Sequence, residues 1–283
     1  MKLSRPTAEL FVPDGKPLKP ALARTTHLCI AAHPDDIEIM APAAILECFG
    51  RADRWFCGVV ATNGAGSPRA DLYAKYTDLQ MQAVRRAEQK KAAIVGEFGA
   101  LAMLDHPSSA VKSRRAGARV RRDIQALVLA AKPDVLVMHN FADKHDTHVA
   151  LALRTLEALR ELPPPARPKK LYGGEVWRDL DWMQDGDKVL WDVSKRKNLQ
   201  SALLGVFDSQ ISGGKRYDRA AMARRRAHAT YNQSHAVDAA TALSVAMDLT
   251  PLMHDTKLDP LKYTEWFIER FRDDVRKRIG NFR

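Results

Sequence analysis

The sequence predicts an α/β fold built on a mostly parallel sheet with helices on both faces. Three observations predict it. Short apolar runs alternate with helical patterns through the first 160 or so residues. The runs lack polar alternation, as strands do when helices cover both faces of a sheet. Turn-forming clusters then follow the runs, at 33–36, 63–66 and 139–148.

Taken in order, His27 to Ala32 (HLCIAA) is the first strand and Ile37 to Phe49 a helix. Trp55 to Thr62 is the second strand, closed by Asn63-Gly64-Ala65-Gly66. A long helix covers Leu79 to Val95, and Leu101 to Leu104 is the third strand. Ser113 to Ala131 is an arginine-rich helix, Val135 to Met138 the fourth strand, and Thr147 to Leu162 a helix stopped by three prolines. Right-handed crossovers would assemble these units into a doubly wound, Rossmann-like sheet.

Beyond the prolines, Leu171 to Trp177 reads as a strand, Asp192 to Leu204 and Arg219 to Ala229 as helices, and 210–218 as a loop. Asp259 and Pro260 open a last helix, with Leu261, Phe267, Phe271 and Val275 close to one face. The economical organisation is a single domain over 1–283. It comprises an N-terminal arm (1–26), a Rossmann-like core (27–180), and a C-terminal helical elaboration (181–283) that packs on the sheet edge and walls a cleft.

Composition narrows the function classes. With 283 residues and 46% hydrophobic content, the chain can bury a sizeable core. No apolar stretch is long enough to span a bilayer, and the first twenty residues lack the apolar core of a signal peptide. Cys29, Cys48 and Cys57 lack paired spacing and read as buried thiols, which predicts a reducing, cytoplasmic setting. The net charge of +11 admits a nucleic acid or an anionic small molecule. The basic residues are scattered over helices, however, and aromatics are only 7% and not interleaved with them, which argues against a nucleic-acid platform.

In open α/β sheets, ligands bind beyond the carboxyl ends of the strands. The first strand ends in His33-Pro34-Asp35-Asp36, and the fourth in a segment containing Asp143, His145, Asp146 and His148. His33, Asp36 and His148 supply two imidazoles and one carboxylate, a set suited to zinc or a similar divalent ion such as Fe2+. Asp35, beside a ligand, can accept a proton from an attacking water. His145 can stabilise an oxyanion or protonate a leaving amine. Together these parts make a metal-dependent amide hydrolase. Two blander readings compete: helix capping by the aspartates, and solvent exposure of His145 and His148.

The motifs resemble the PIG-L (LmbE-like) deacetylase family. Ala32-His33-Pro34-Asp35-Asp36-Ile37-Glu38 resembles its AHPDDxE signature. Thr62 to Gly66, Arg85-Arg86-Ala87-Glu88, Asp143 to His148 and Asp208-Ser209-Gln210 resemble further family segments, in order across roughly 27–215.

The resemblance implies removal of an N-acetyl group from an N-acetylglucosamine-type sugar or glycoconjugate. In it His33, Asp36 and His148 bind zinc, Asp35 is the general base and His145 lies on the oxyanion side. It makes Arg85 a substrate contact paired with Glu88, against the plainer reading of a surface i,i+3 ion pair. Asn63, Gly64 and Gln210 would border the sugar.

One departure is Thr147, which stands where the family has an aspartate that orients and tunes the nearby histidine, leaving His145 a weaker acid or Asp143 or Asp146 to take over. Competing functions are an amidase acting on a thiol or sugar conjugate, a two-histidine-one-carboxylate iron oxygenase and a basic nucleic-acid-binding protein. A homo-oligomer is compatible with the sequence.

Overall fold

The structure, a computed structural model, describes residues 1–283. Eight strands form one sheet: β1 (Glu9–Phe11), β2 (His27–Ala31), β3 (Phe56–Thr62), β4 (Ala100–His106), β5 (Val135–His139), β6 (Lys170–Gly174), β7 (Val189–Asp192) and β8 (Leu243–Asp248). Their order is β1-β4-β3-β2-β5-β6-β8-β7. The inner five, β4-β3-β2-β5-β6, are parallel. β1, β7 and β8 add antiparallel edges. The α/β, mostly parallel architecture predicted from sequence is therefore the one observed.

Every residue of β2, β3 and β4 is buried, because helices lie on both faces. Alternate residues of β2 go to opposite layers. Leu28 and Ile30 join a core with Ile124 and Leu127 of the helix Arg114–Ala131 and Leu151 and Leu156 of the helix Asp146–Glu161. Cys29 and Ala31 join a second core with Ile37, Ile45, Phe56 and Phe98. All three cysteines are buried and unpaired.

From β2 the chain builds outward through β3 and β4, then returns to the other side of β2 for β5 and β6. The carboxyl ends of β2 and β5 therefore flank the point where strand order reverses, the usual ligand position in such sheets.

Several elements differ from the sequence expectation. The helix expected over Ile37 to Phe49 is two short helices, Asp36–Met40 and Pro42–Cys48. Pro42 lacks an N–H and displaces the residue before it, and Ala41 sits outside the helical region at φ −118°. The expected helix from Asp192 begins only at Lys197, after β7. Asp208–Ile211 is a helical turn whose last two residues fall at the start of the expected loop. β1, β7 and β8 carried no expectation.

The last helix, Pro260–Gly280, starts as expected, with the Asp259 carboxylate accepting from Lys262 N–H. Of its expected apolar face, only Phe267 is buried, while Leu261, Phe271 and Val275 are exposed. No helix is long and apolar enough to cross a membrane.

Candidate active site

His33 is separated from β2 by one residue and is tied to the next turn by its backbone N–H, which donates to Asp36 Oδ2 at 2.8 Å. Between them, Asp35 adopts φ +93°, a strained conformation for a residue with a side chain. The long helix Asp78–Val95 holds that strain in place. Its Gln89 Oε1 accepts from Asp35 N–H at 3.1 Å, and its Arg85 guanidinium donates to the Pro34 carbonyl and, at 3.1 Å, to Asp35 Oδ2. The Asp35 side chain makes no capping bond, so helix capping does not account for it.

Three atoms converge above the switch point. His33 Nδ1 lies 3.2 Å from Asp36 Oδ2 and 3.1 Å from His148 Nε2, and His148 Nε2 lies 3.3 Å from Asp36 Oδ2. Ligands sharing one ion at about 2.0–2.2 Å stand roughly 3.0–3.4 Å apart, so this near-equilateral triangle matches a three-ligand face.

Two other groupings are within reach of a single ion: His33, His145 and His148, and Asp36, His139 and His148. The latter fails on lone pairs: His139 Nε2 already accepts from Ala32 N–H at 2.8 Å. His139 instead stacks on His148, with ring centroids 4.0 Å apart, and fixes its plane.

His148 Nδ1 faces Asp143 Oδ2 at 3.1 Å, the carboxylate–imidazole pairing that orients a metal-ligating histidine. The Asp143 carboxylate is in turn held by the backbone N–H groups of His145 (3.0 Å) and Val176 (3.1 Å). Asp143 thus supplies the orienting carboxylate, and it acts on His148. His145 has no carboxylate partner. Its Nδ1 accepts from Thr147 N–H at 3.3 Å, which leaves Nε2 as the protonated nitrogen of the neutral ring.

The electrostatics call for positive charge at the centre of the triangle. Burial disfavours a charged His148, yet Asp36 and Asp143 outweigh it and raise its pKa to about 10. Burial likewise opposes ionisation of Asp36, but His148, His139 and His33 around it hold its carboxyl well below the usual range. A divalent cation would supply that central charge in place of the proton, so the donor set fits a metal. Asp35 differs from its neighbour. Burial raises its pKa to about 6, with Arg85 opposing. Burial, then the charges of His148 and His33, lower that of His145.

His33, Asp35, Asp36, Gly64, Arg85, His145, His148 and Gln210 border one cavity of about 420 Å³. Asn63 does not. Its Oδ1 accepts from Ala65 N–H and shapes the turn behind the cavity wall. That turn needs Gly64 twice over: φ is +71°, and a Cβ would lie 3.2 Å from Cβ and Cγ of Arg85.

Arg85 is 2% exposed, so its pairing with Glu88 (3.8 Å) is not a surface one. Glu88 chiefly accepts from Ser209 N–H at 2.6 Å and Ser209 Oγ at 2.7 Å, which seats Gln210 at the cavity. His139, Gln89, Trp177 and Tyr217 were not singled out from the sequence. A histidine ending an apolar strand was the only available signal for His139.

Residues 28–159 match the PIG-L family, described as GlcNAc-PI de-N-acetylase. The match contains both polar segments, 33–36 and 143–148. No curated protein sequence matches. Among solved structures, N,N'-diacetylchitobiose deacetylase from Pyrococcus horikoshii, complexed with an inhibitor, is 15% identical with a TM-score of 0.63, covering 82% of this chain and 86% of its own.

The A40926 pseudoaglycone deacetylase Dbv21 is 18% identical at TM-score 0.59, covering 80% and 97%. GalB, the 4-carboxy-2-hydroxymuconate hydratase from Pseudomonas putida KT2440, is 15% identical at 0.56, covering 80% and 96%. At these identities the likeness is one of fold, and the fold carries more than one chemistry. Residues 28–159 are thus similar to the PIG-L family, and the chain shares its fold with solved deacetylases.

Proposed function

We propose that this protein is a metal-dependent N-deacetylase that hydrolyses the acetamide of an acetylated amino sugar. The observation that carries the reading is the set of three donor atoms 3.1–3.3 Å apart, with a separate carboxylate, Asp35, bordering the same cavity. His33, Asp36 and His148 would hold the ion, and zinc suits two imidazoles and a carboxylate. When bound, such an ion supplies Lewis acidity toward a carbonyl and lowers the pKa of water.

The chain's own residues supply the rest. Asp35 accepts the proton of the attacking water, and Arg85 fixes the orientation of its carboxylate. The Nε2–H of His145 faces the side where the carbonyl oxygen gains charge, and a protonated His145 can deliver its proton to the departing amine. The Gly64 turn and Gln210 border the sugar, with Asn63 acting on the turn rather than on the ligand. An amidase acting on a thiol or sugar conjugate would use the same parts.

The experiment is acetate release across a panel of N-acetylated sugars. Asp35→Asn should lower kcat by about 10²–10⁴-fold, the usual worth of a general base. Full activity in Asp35→Asn would overturn the mechanism. Oxygen consumption with iron, or hydration of an unsaturated acid, in place of acetate release would overturn the reaction class.

A further inference from the structure

A second cavity, of about 320 Å³, adjoins the first and shares Ile39, Val176, Trp177, Lys215 and Tyr217 with it. It lies against the helix Tyr217–Ala229, in the C-terminal part of the chain outside the matched family segment. Its lining is strongly cationic. Lys144, Lys215, Arg224 and Arg225 all border it, and none of them pairs with a carboxylate.

Arg216 also borders the cavity but is neutralised by Asp218, at 3.0 and 2.6 Å. The one carboxylate in the wall, Asp179, lies 3.3 Å from His228 Nδ1, and its charge also acts on Arg224 and Arg225.

Two features make this more than a scatter of surface charge. Arg225 is only 3% exposed, and its guanidinium is met solely by neutral groups: the carbonyls of Glu38 and Ile39, Gln200 Oε1 and Met222 Sδ. Asp179 is the one carboxylate whose charge reaches this buried cation, and it makes no direct contact with it, so an anion in the adjoining cavity would offset part of the cost of burial. Trp177, which lines both cavities, has Lys144 Nζ 4.8 Å and Lys215 Nζ 5.8 Å from its ring, and its indole N–H is buried without an acceptor.

We infer that this second cavity is a subsite for an anionic group, phosphoryl or carboxylate, carried by the substrate on the side away from the scissile acetamide. The inference rests on the deacetylase reading for the orientation of the substrate, and on the cavity alone for the anion. Arg224 and Lys215 would meet the anion directly, as charge-assisted donors. Arg225 would add field from behind while clamping the end of the Asp36–Met40 helix. Specificity for the charged substrate would thus come from the C-terminal part of the chain, while the reacting groups come from the family segment.

Binding separates this claim from the claim about hydrolysis. N-acetylglucosamine 1-phosphate, N-acetylmuramic acid and N-acetylglucosamine would be titrated calorimetrically into the purified holoprotein, then into Arg224→Ala/Lys215→Ala, at two salt concentrations. The expected result is at least about tenfold tighter binding of an anionic sugar over the neutral one, a ratio that falls with salt and collapses in the double variant.

The two anionic sugars distinguish a phosphoryl from a carboxylate preference. Equal binding of all three sugars would overturn the inference. So would a preference that survives the double variant, since the anion would then sit on the metal. Acetate release, measured separately, reports on the hydrolytic reading whichever way the titration falls.

Discussion

Replacing Asp143 by asparagine removes the one carboxylate that faces the outer nitrogen of His148, at 3.1 Å, while nearly preserving shape. The carboxylate accepts from His145 N–H and Val176 N–H and faces His148 Nδ1. An amide can accept at only one end, so its NH2 must face a donor on one side. If the amide turns its oxygen to the backbone of His145, His148 loses the acceptor that sets its tautomer and basicity.

Loss of such an orienting partner costs roughly 10–100-fold in metal affinity, about 1.4–2.7 kcal/mol. The assay is competition for zinc against a chromophoric chelator, in the native protein and in Asp143→Asn, with circular dichroism to confirm that both fold. Thr147→Ala serves as the comparison and should change affinity little, because Thr147 acts on His145 only through its backbone N–H. Equal affinity in native protein and Asp143→Asn would refute the reasoning, as would a larger loss in Thr147→Ala.

Three further outcomes are expected. Gly64→Ala should destabilise the fold by about 1–3 kcal/mol in urea titrations and lower acetate release with it, because the new Cβ meets Arg85 in a left-handed turn. Glu88→Ala should cost about 1–3 kcal/mol by leaving the buried Ser209 donors unmatched, and Glu88→Gln should recover part of the loss. Burial, reinforced by Arg54, lowers the pKa of His27 to about 4. The unfolded chain, with its histidine near 6.5, therefore binds the extra proton first, and stability should fall as pH drops from about 6.5 toward 4. Urea midpoints of native protein and His27→Gln should converge over that window, and parallel curves would rule out this contribution.

The five parallel strands were legible because burial on both faces leaves an uninterrupted apolar run that few other structures require. β1, β7 and β8 were not legible, for a related reason. They are short antiparallel edges, half-exposed in β1 and β7, and their partners lie far away in sequence. In the site, His33, Asp35, Asp36, His145 and His148 stood out because two polar clusters each ended an apolar strand.

The role of Arg85 was obscured by its spacing. An Arg–Glu pair three residues apart on a helix looks the same whether it faces water or, as here, the underside of Asp35. His139 was hidden as the last residue of β5, where only the three-dimensional stack on His148 reveals it. Asn63 sits beside Gly64 in sequence, yet the left-handed turn sends the two in different directions.

The central claim is that His33, Asp36 and His148 form one metal site on which catalysis depends. Metal analysis of the purified protein and of His33→Ala, paired with acetate release from the responsive N-acetyl sugar, tests it most directly. About one divalent ion per chain, lost together with activity in His33→Ala and on chelation, is the predicted result. Acetate release that persists in a demonstrably metal-free protein would contradict it.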